Sequence, residues 1–398
     1  MSDLRQALEG ALFANPDDLA SHSAYADWLA EQPGPADQAR GEFVRVQLAL
    51  EDERKPAAER KKLQEQEAHL LQAHQREWLG GLAEYLLDEK DNYRPTGRWA
   101  RGWLDSLEVG RLTVPFARAL AKAPQTRLLR RFLIEENDYE EEYEPGPDIP
   151  AGSPYPGLHP LLQSPYLGNV RVFQVGPRPE GEDASGMALF SHSSGEALAD
   201  LVEKMPALEE LYIFAHAAEE LEKLFGLKGL TRLRVLQVYH CCENDEHPLA
   251  TLAANASLGR LTHLLLHPHA FMGFDGDSGS SVPLEQVRAL VRSPHLKSLT
   301  HLQLRLSNMG DEGCQALVDS GILKRLKVLD LRHGCVGDEG ARTLAACPDL
   351  RHLELLDVGG NWLTDAGTQA LRAVGIQVRA DRQSAEGSEE WLSEGDWE

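Results

Sequence analysis

Cysteine is scarce in this sequence, and what there is resists pairing: Cys241, Cys242, Cys314, Cys335 and Cys347 form an odd set at irregular spacing. That pattern excludes a disulfide framework and predicts buried free thiols in a reducing compartment. Positive charge is also in deficit. Lys and Arg number 40 against 63 Asp and Glu, a formal charge of −23. So negative a surface repels phosphate backbones and anionic membranes, so neither nucleic acid nor a membrane is an expected partner. Apolar runs are too short to span a bilayer. The opening residues lack a basic stretch followed by an apolar one, so no signal peptide is expected and the chain is placed in the cytoplasm. Also absent are a Gly-rich loop ending in Gly-Lys-Ser/Thr, a Gly-x-Ser-x-Gly elbow and a His-Glu-x-x-His pair, which removes the best-marked routes to an enzyme.

What is present is a repeat. The pattern Leu-x-x-Leu-x-Leu, allowing Val, Ile or Phe for Leu, begins at Leu104, Leu129, Val170, Leu208, Leu233, Leu261, Leu299, Leu326 and Leu353. The intervals are 25, 41, 38, 25, 28, 38, 27 and 27 residues, so the underlying period is 25–28. Each piece predicts a short strand whose alternate residues point inward. One repeat cannot bury that face alone, so neighbours must stack into a parallel sheet. The last three repeats share a register. Leu302-Gln303-Leu304, Leu329-Asp330-Leu331 and Leu356-Asp357-Val358 are each followed by a helix start: Gly310-Asp311-Glu312-Gly313, Gly337-Asp338-Glu339-Gly340 and Thr364-Asp365-Ala366-Gly367. Leu317, Leu344 and Leu371 stand four residues after each closing Gly.

This arrangement resembles the ribonuclease-inhibitor-like class of leucine-rich repeats. The resemblance implies an α/β solenoid with strands on the concave side and helices on the convex side. Asn holds the usual loop position only at Asn361, with Ser307 and Gly334 replacing it in the other two repeats, and the earlier repeats are degenerate. Asp311, Asp338 and Asp365 are expected at N-cap or first-turn positions, accepting from free helix N–H groups rather than holding a metal.

Residues 1–79 read as a small all-α domain. Leu4, Leu8 and Leu12 share a spacing of four, Asn15-Pro16-Asp17-Asp18 separates two helices, and Pro33-Gly34-Pro35 separates the second from a third carrying Phe43, Val46 and Leu50. A fourth helix is expected from about Pro56 to Trp78, rich in charge, with Leu63, Leu70, Leu71 and Trp78 as a narrow apolar stripe. Asn15-Pro16-Asp17-Asp18, Tyr25-Ala26-Asp27-Trp28-Leu29 and Gly41-Glu42-Phe43-Val44-Arg45-Val46-Gln47 resemble the bacterial "repeat-companion" domain found before many repeat proteins. That resemblance covers about the first fifty residues and implies no activity. Asp27, Glu42 and Arg45 are accordingly read as structural polar contacts rather than an acid–base pair.

Segment 80–103 is expected to cap the array, with Trp99 or Trp103 covering its apolar end. The solenoid is then 104–380, and 381–398 an acidic disordered tail carrying Trp391 and Trp397, which also has the character of a short docking motif. The long intervals mark insertions: a mobile acidic loop from about Glu135 to Gly168, and others near Pro177–Gly195 and Pro268–Pro283. His240-Cys241-Cys242 with His247 fits no zinc spacing. Asp275–Gly279 looks like a calcium loop but has Gln286 where the twelfth position needs Glu. No cofactor is expected.

The same register names a binding face, because positions three, five and seven of each motif point away from the core. The first three repeats offer a mixed set. Later repeats offer Tyr212, Phe214 and Tyr239, then His263, His267, His301, Arg305 and Arg332. Aromatic and Arg side chains are the usual anchors of protein interfaces, so the expected function is a non-enzymatic scaffold with a protein partner on this face. Asp330, between Leu329 and Leu331, is expected to face solvent. The alternative is a regulator of an enzyme, such as a GTPase activator acting through an exposed Arg.

Overall fold

The computed structural model describes residues 3–88, 95–137, 146–151, 153, 156–176, 193–215, 218–239, 247–268 and 282–387. Cys241 and Cys242, most of the acidic run after Glu136, the Asp275–Gly279 segment, and Trp391 and Trp397 lie outside the described residues. The chain divides into two compact units, one of residues 1–134 and 140–172 and one of residues 135–139 and 173–398.

The first unit opens with four helices: α1 (Asp3–Ala14), α2 (Leu19–Ala30), α3 (Pro35–Leu50) and α4 (Ala57–Leu79). Asp18 caps α2, its carboxylate accepting from the N–H groups of Ala20 and Ser21. Tyr25, Leu29, Phe43, Val44 and Val46 are fully or nearly fully buried, as the spacing requires. Leu4 departs from the expected stripe: it is 55 % exposed while Leu12 is buried, because α1 docks only through its C-terminal half. Arg45 pairs with Asp27 at 2.7 Å on the surface, and Gln66 hydrogen-bonds Glu42.

A hairpin follows, β1 (Thr96–Ala100) antiparallel to β2 (Trp103–Arg111). Its turn, Arg101-Gly102, has φ of 52° and 81° at the two residues. Two positive φ values in a two-residue turn match the strand twist, and Gly102 adopts one without strain. The turn is bracketed by Gln47 on α3, whose Oε1 accepts from Gly102 N at 2.7 Å and whose Nε2 donates to Trp99 O at 3.1 Å. Trp99 and Trp103, one of them expected to cover an apolar end, both pack against the helices. Trp99 packs on Phe43 and Trp78, and Trp103 stacks on Tyr25 at 5.7 Å. Helix α5 (Val114–Lys122) and strand β3 (Arg131–Glu136) come next. The insertion expected to be mobile from Glu135 is built in its later part: Asp148 pairs with Arg118, and Leu158, Leu161 and Leu167 are buried.

The second unit repeats strand and helix: β4 (Val172–Val175), α6 (Leu198–Glu203), β5 (Glu210–Phe214), α7 (Ala218–Gly226), β6 (Val235–Tyr239), α8 (Leu249–Ala254), β7 (His263–His267), β8 (Val282–Pro283), α9 (Leu284–Val291), β9 (His301–Leu304), β10 (Ser307–Asn308), α10 (Gly310–Ser320), β11 (Val328–Asp330), α11 (Asp338–Ala346), β12 (Leu355–Asp357), α12 (Asp365–Arg372) and β13 (Gln377–Arg379). Strands β5, β6, β7, β9, β11, β12 and β13 pair in parallel without a register slip. Leu211, Leu236, Leu264, Leu302, Leu329 and Leu356 therefore stand side by side. Each is buried, as are the first and sixth positions of every motif from Leu104 to Val358. Successive helices α6 to α12 pack beside one another, with Leu317, Leu344 and Leu371 buried. The fold is thus an α/β leucine-rich repeat array with four helices before it.

Two of the first-turn aspartates, Asp311 and Asp338, act across repeats rather than on their own helices. Asp311 Oδ1 accepts from Gly337 N at 2.7 Å, and Asp338 accepts from Thr364 N and Gly367 N at 3.0 and 3.1 Å. Asn361 fills the loop between the last two repeats. Its Oδ1 accepts from Gly334 N and Val336 N, and its Nδ2 donates to Leu331 O, Val358 O and Gly359 O.

Candidate functional site

The in-register pairing turns positions three, five and seven into rows that cross the sheet. The third-position row runs Glu210, Val235, His263, His301, Val328 and Leu355, and all six are half-buried. His263 and His301 stack with ring centroids 3.9 Å apart and planes 17° from parallel. Each ring keeps Nδ1 2.9 Å from the hydroxyl of the residue before it, Thr262 or Thr300. Burial pushes both histidines below their ordinary pKa, with Arg234 adding to the effect at His263, and His263 itself at His301. Two neutral rings stack without the repulsion that two imidazolium ions would feel.

The fifth-position row is Tyr212, Gln237, Leu265, Gln303, Asp330 and Asp357. Tyr212 and Leu265 are half-buried, and Tyr212 donates its hydroxyl to Glu210 at 2.8 Å. The other four are buried. Gln303 donates to the Tyr239 hydroxyl at 2.7 Å. In the seventh-position row, Phe214, Tyr239, Arg305 and Arg332 are buried and His267 is half-buried, its ring edge-on to Tyr239 at 5.3 Å.

The structure therefore corrects the exposure expected from register alone. Asp330 is 7 % exposed and Arg305 only 3 %. Arg305 Nε meets Asp330 Oδ2 at 3.2 Å, Arg332 Nη2 meets the same oxygen at 2.8 Å, and Arg332 Nε lies 3.6 Å from Asp357. The physical reason is strand spacing. Neighbouring strands lie about 4.8 Å apart, so long side chains in one row reach and cover those of the next. Arg305 and Arg332 consequently neutralise carboxylates of their own sheet. Tyr212, His263, His267 and His301 remain at the surface. Val235, Leu265, Val328 and Leu355 join them there; the position-three and position-five rule marks these four as well, but their aliphatic character hides them among core residues.

Among the described residues no group of three or more His, Cys, Asp or Glu is placed to hold a metal ion. Cys314 and Cys335 are buried free thiols; burial raises both, Cys335 to about 12, so neither is a thiolate nucleophile at neutral pH. Among the described residues no helix is long and apolar enough to cross a membrane.

The fold is of the leucine-rich repeat type. The leucine-rich repeat family model matches residues 295–318, 325–345 and 349–371, the three repeats with the clearest register. Among solved structures, the chain is similar to a protein from Bacteroides fragilis (15 % identity, 68 % of this chain and 70 % of that one, TM-score 0.41). It is also similar to an internalin from Listeria monocytogenes (14 % identity, 72 % and 69 %, TM-score 0.34). A plant peptide hormone receptor in complex with RGF2 is similar over 46 % of this chain and 33 % of that one, at 13 % identity and a TM-score of 0.23. Among curated proteins none matches this sequence.

Proposed function

We propose that this chain is a non-enzymatic cytoplasmic scaffold of bacterial origin that holds a protein partner against the open face of its repeat sheet. One observation carries the reading: six adjacent strands present an unbroken third-position row from Glu210 to Leu355 that is neither covered nor fully solvated. Mixed apolar, imidazole and carboxylate groups on a rigid sheet suit recognition, since little ordering entropy is lost on binding. Tyr212 is the expected anchor, with His263, His267 and His301 beside it and Phe214, Tyr239, Arg305 and Arg332 forming the layer that supports them. The resemblance of the first fifty residues to the repeat-companion domain supports the bacterial origin. Arg305 and Arg332 are engaged by Asp330, so a GTPase activator would have to use another arginine, such as the exposed Arg131.

Affinity purification from the native cell with mass spectrometry identifies the partner. Tyr212→Ala and His301→Ala should then each weaken binding by about 1–3 kcal/mol while leaving unfolding nearly unchanged. Wild-type binding by both, with loss of binding on changes to the helical face, would refute the assignment.

A further inference from the structure

A recessed site lies in the first unit. It is a pocket of about 250 Å³. Arg5 and Glu9 of α1, Arg40 of α3, Trp103 of β2, Arg127 and Tyr166 are among its walls. Three guanidinium groups thus face one carboxylate, in a chain whose overall charge is −23. Glu9 is already engaged: it accepts from Arg5 at 3.0 Å, from Arg127 at 2.5 Å and from the Tyr25 hydroxyl at 3.2 Å.

Arg40 is left without a counter-ion. It forms no ion pair among the described residues; it donates to Gly102 O at 3.1 Å and lies with its Cζ 4.7 Å over the Trp103 ring. Its Nε is buried without a hydrogen-bond partner. The same holds for Nε1 of Trp103, a side chain only 4 % exposed. A half-buried cation whose Nε is unanswered, beside a buried indole N–H that is also unanswered, is costly unless an acceptor meets them. Burial lowers the Arg40 pKa, which marks the same shortage of negative charge. The volume falls below the range of about 300–1,000 Å³ usual for drug-sized ligands, so the occupant is small.

We propose that this pocket binds a small organic anion, its carboxylate or phosphoryl oxygens meeting Arg40 and its short body filling the space lined by Arg127 and Tyr166. The charge-assisted hydrogen bonds supply the specificity.

The test uses the full chain, labelled with nitrogen-15 and titrated with benzoate or with its neutral isostere benzamide. The readouts are the Trp103 indole N–H resonance, assigned with Trp103→Phe, and isothermal calorimetry. Benzoate should shift that resonance saturably and bind at least tenfold more tightly than benzamide. Acetate or inorganic phosphate should displace it, which assigns affinity to the oxyanion. Arg40→Gln should abolish the preference for benzoate while the far-ultraviolet circular dichroism stays native. Equal binding of benzoate and benzamide overturns the proposal, and so does failure of both acetate and phosphate to compete. If Arg40→Gln does not fold, the benzoate–benzamide comparison on the unmodified chain still decides.

Discussion

Asp338 in the first turn of α11 reaches into the next repeat and accepts from the backbone N–H of Gly367, 3.1 Å away. An added Cβ at Gly367 would collide with the Asp338 carboxylate, so the glycine in one repeat exists to admit the aspartate of the one before. Thr364 completes the join, donating its hydroxyl to Asp338 at 2.7 Å while capping α12 through Ala366 N.

This link predicts coupled losses. Asp338→Ala should cost about 1 kcal/mol, typical of a removed cap. Gly367→Ala should cost at least as much, because the methyl group expels the same carboxylate. In the double variant the two costs should not add, since each removes one shared contact. Urea denaturation giving strictly additive values would show that the aspartate and the glycine act independently.

Asn361 is fully buried and its amide meets five backbone groups. Asn361→Ala leaves several of them without partners, each worth about 1–3 kcal/mol when orphaned in the interior. A total loss of about 3 kcal/mol is expected in thermal or chemical unfolding. A change below about 0.5 kcal/mol would mean that the loop is held by other contacts.

Leu329 and Asp330 are consecutive, and register alone makes their substitution costs very different. The structure makes them similar. Leu329→Ala should cost about 2–5 kcal/mol through the cavity it leaves. Asp330→Ala should cost about 3–5 kcal/mol near pH 8, because Arg305 would remain buried without its carboxylate and Arg332 would keep only the more distant Asp357. A near-neutral Asp330→Ala would restore the solvent-facing placement and contradict the ion-pair cluster.

The Asp330 carboxyl also gives a pH signature. Burial pushes it up to about 7 from 3.8, with Arg305 opposing and Asp357 reinforcing the rise. Between those values the folded chain holds a proton that the unfolded chain releases. The proton-linked part of this group's contribution to stability is therefore complete below 3.8 and is lost as pH rises through 7. Asp330→Asn should reduce the difference in unfolding free energy between about pH 5 and about pH 8, the raised Asp357 carboxyl leaving a smaller residue of it. An unchanged difference would place the titration elsewhere.

The sequence by itself determined the repeat. Spacing alone located the inward positions from Leu104 to Val358, because strand alternation and the repeat period are local properties that burial must respect. It also placed the helix starts at Gly310, Gly337 and Thr364. It did not reveal β13, whose Gln377-Val378-Arg379 lacks the leucine pattern, or β1, whose only signal is the Arg101-Gly102 turn between Ala100 and Trp103. The face was decided by tertiary structure. Arg305 and Asp330 stand 25 residues apart and meet because their strands are neighbours in register. Arg40 and Trp103 meet because Gln47 draws the hairpin turn onto α3. Such contacts depend on how the chain returns after each loop. A motif gives the direction of a side chain, but only the packed neighbours determine whether it ends in water or against another charge.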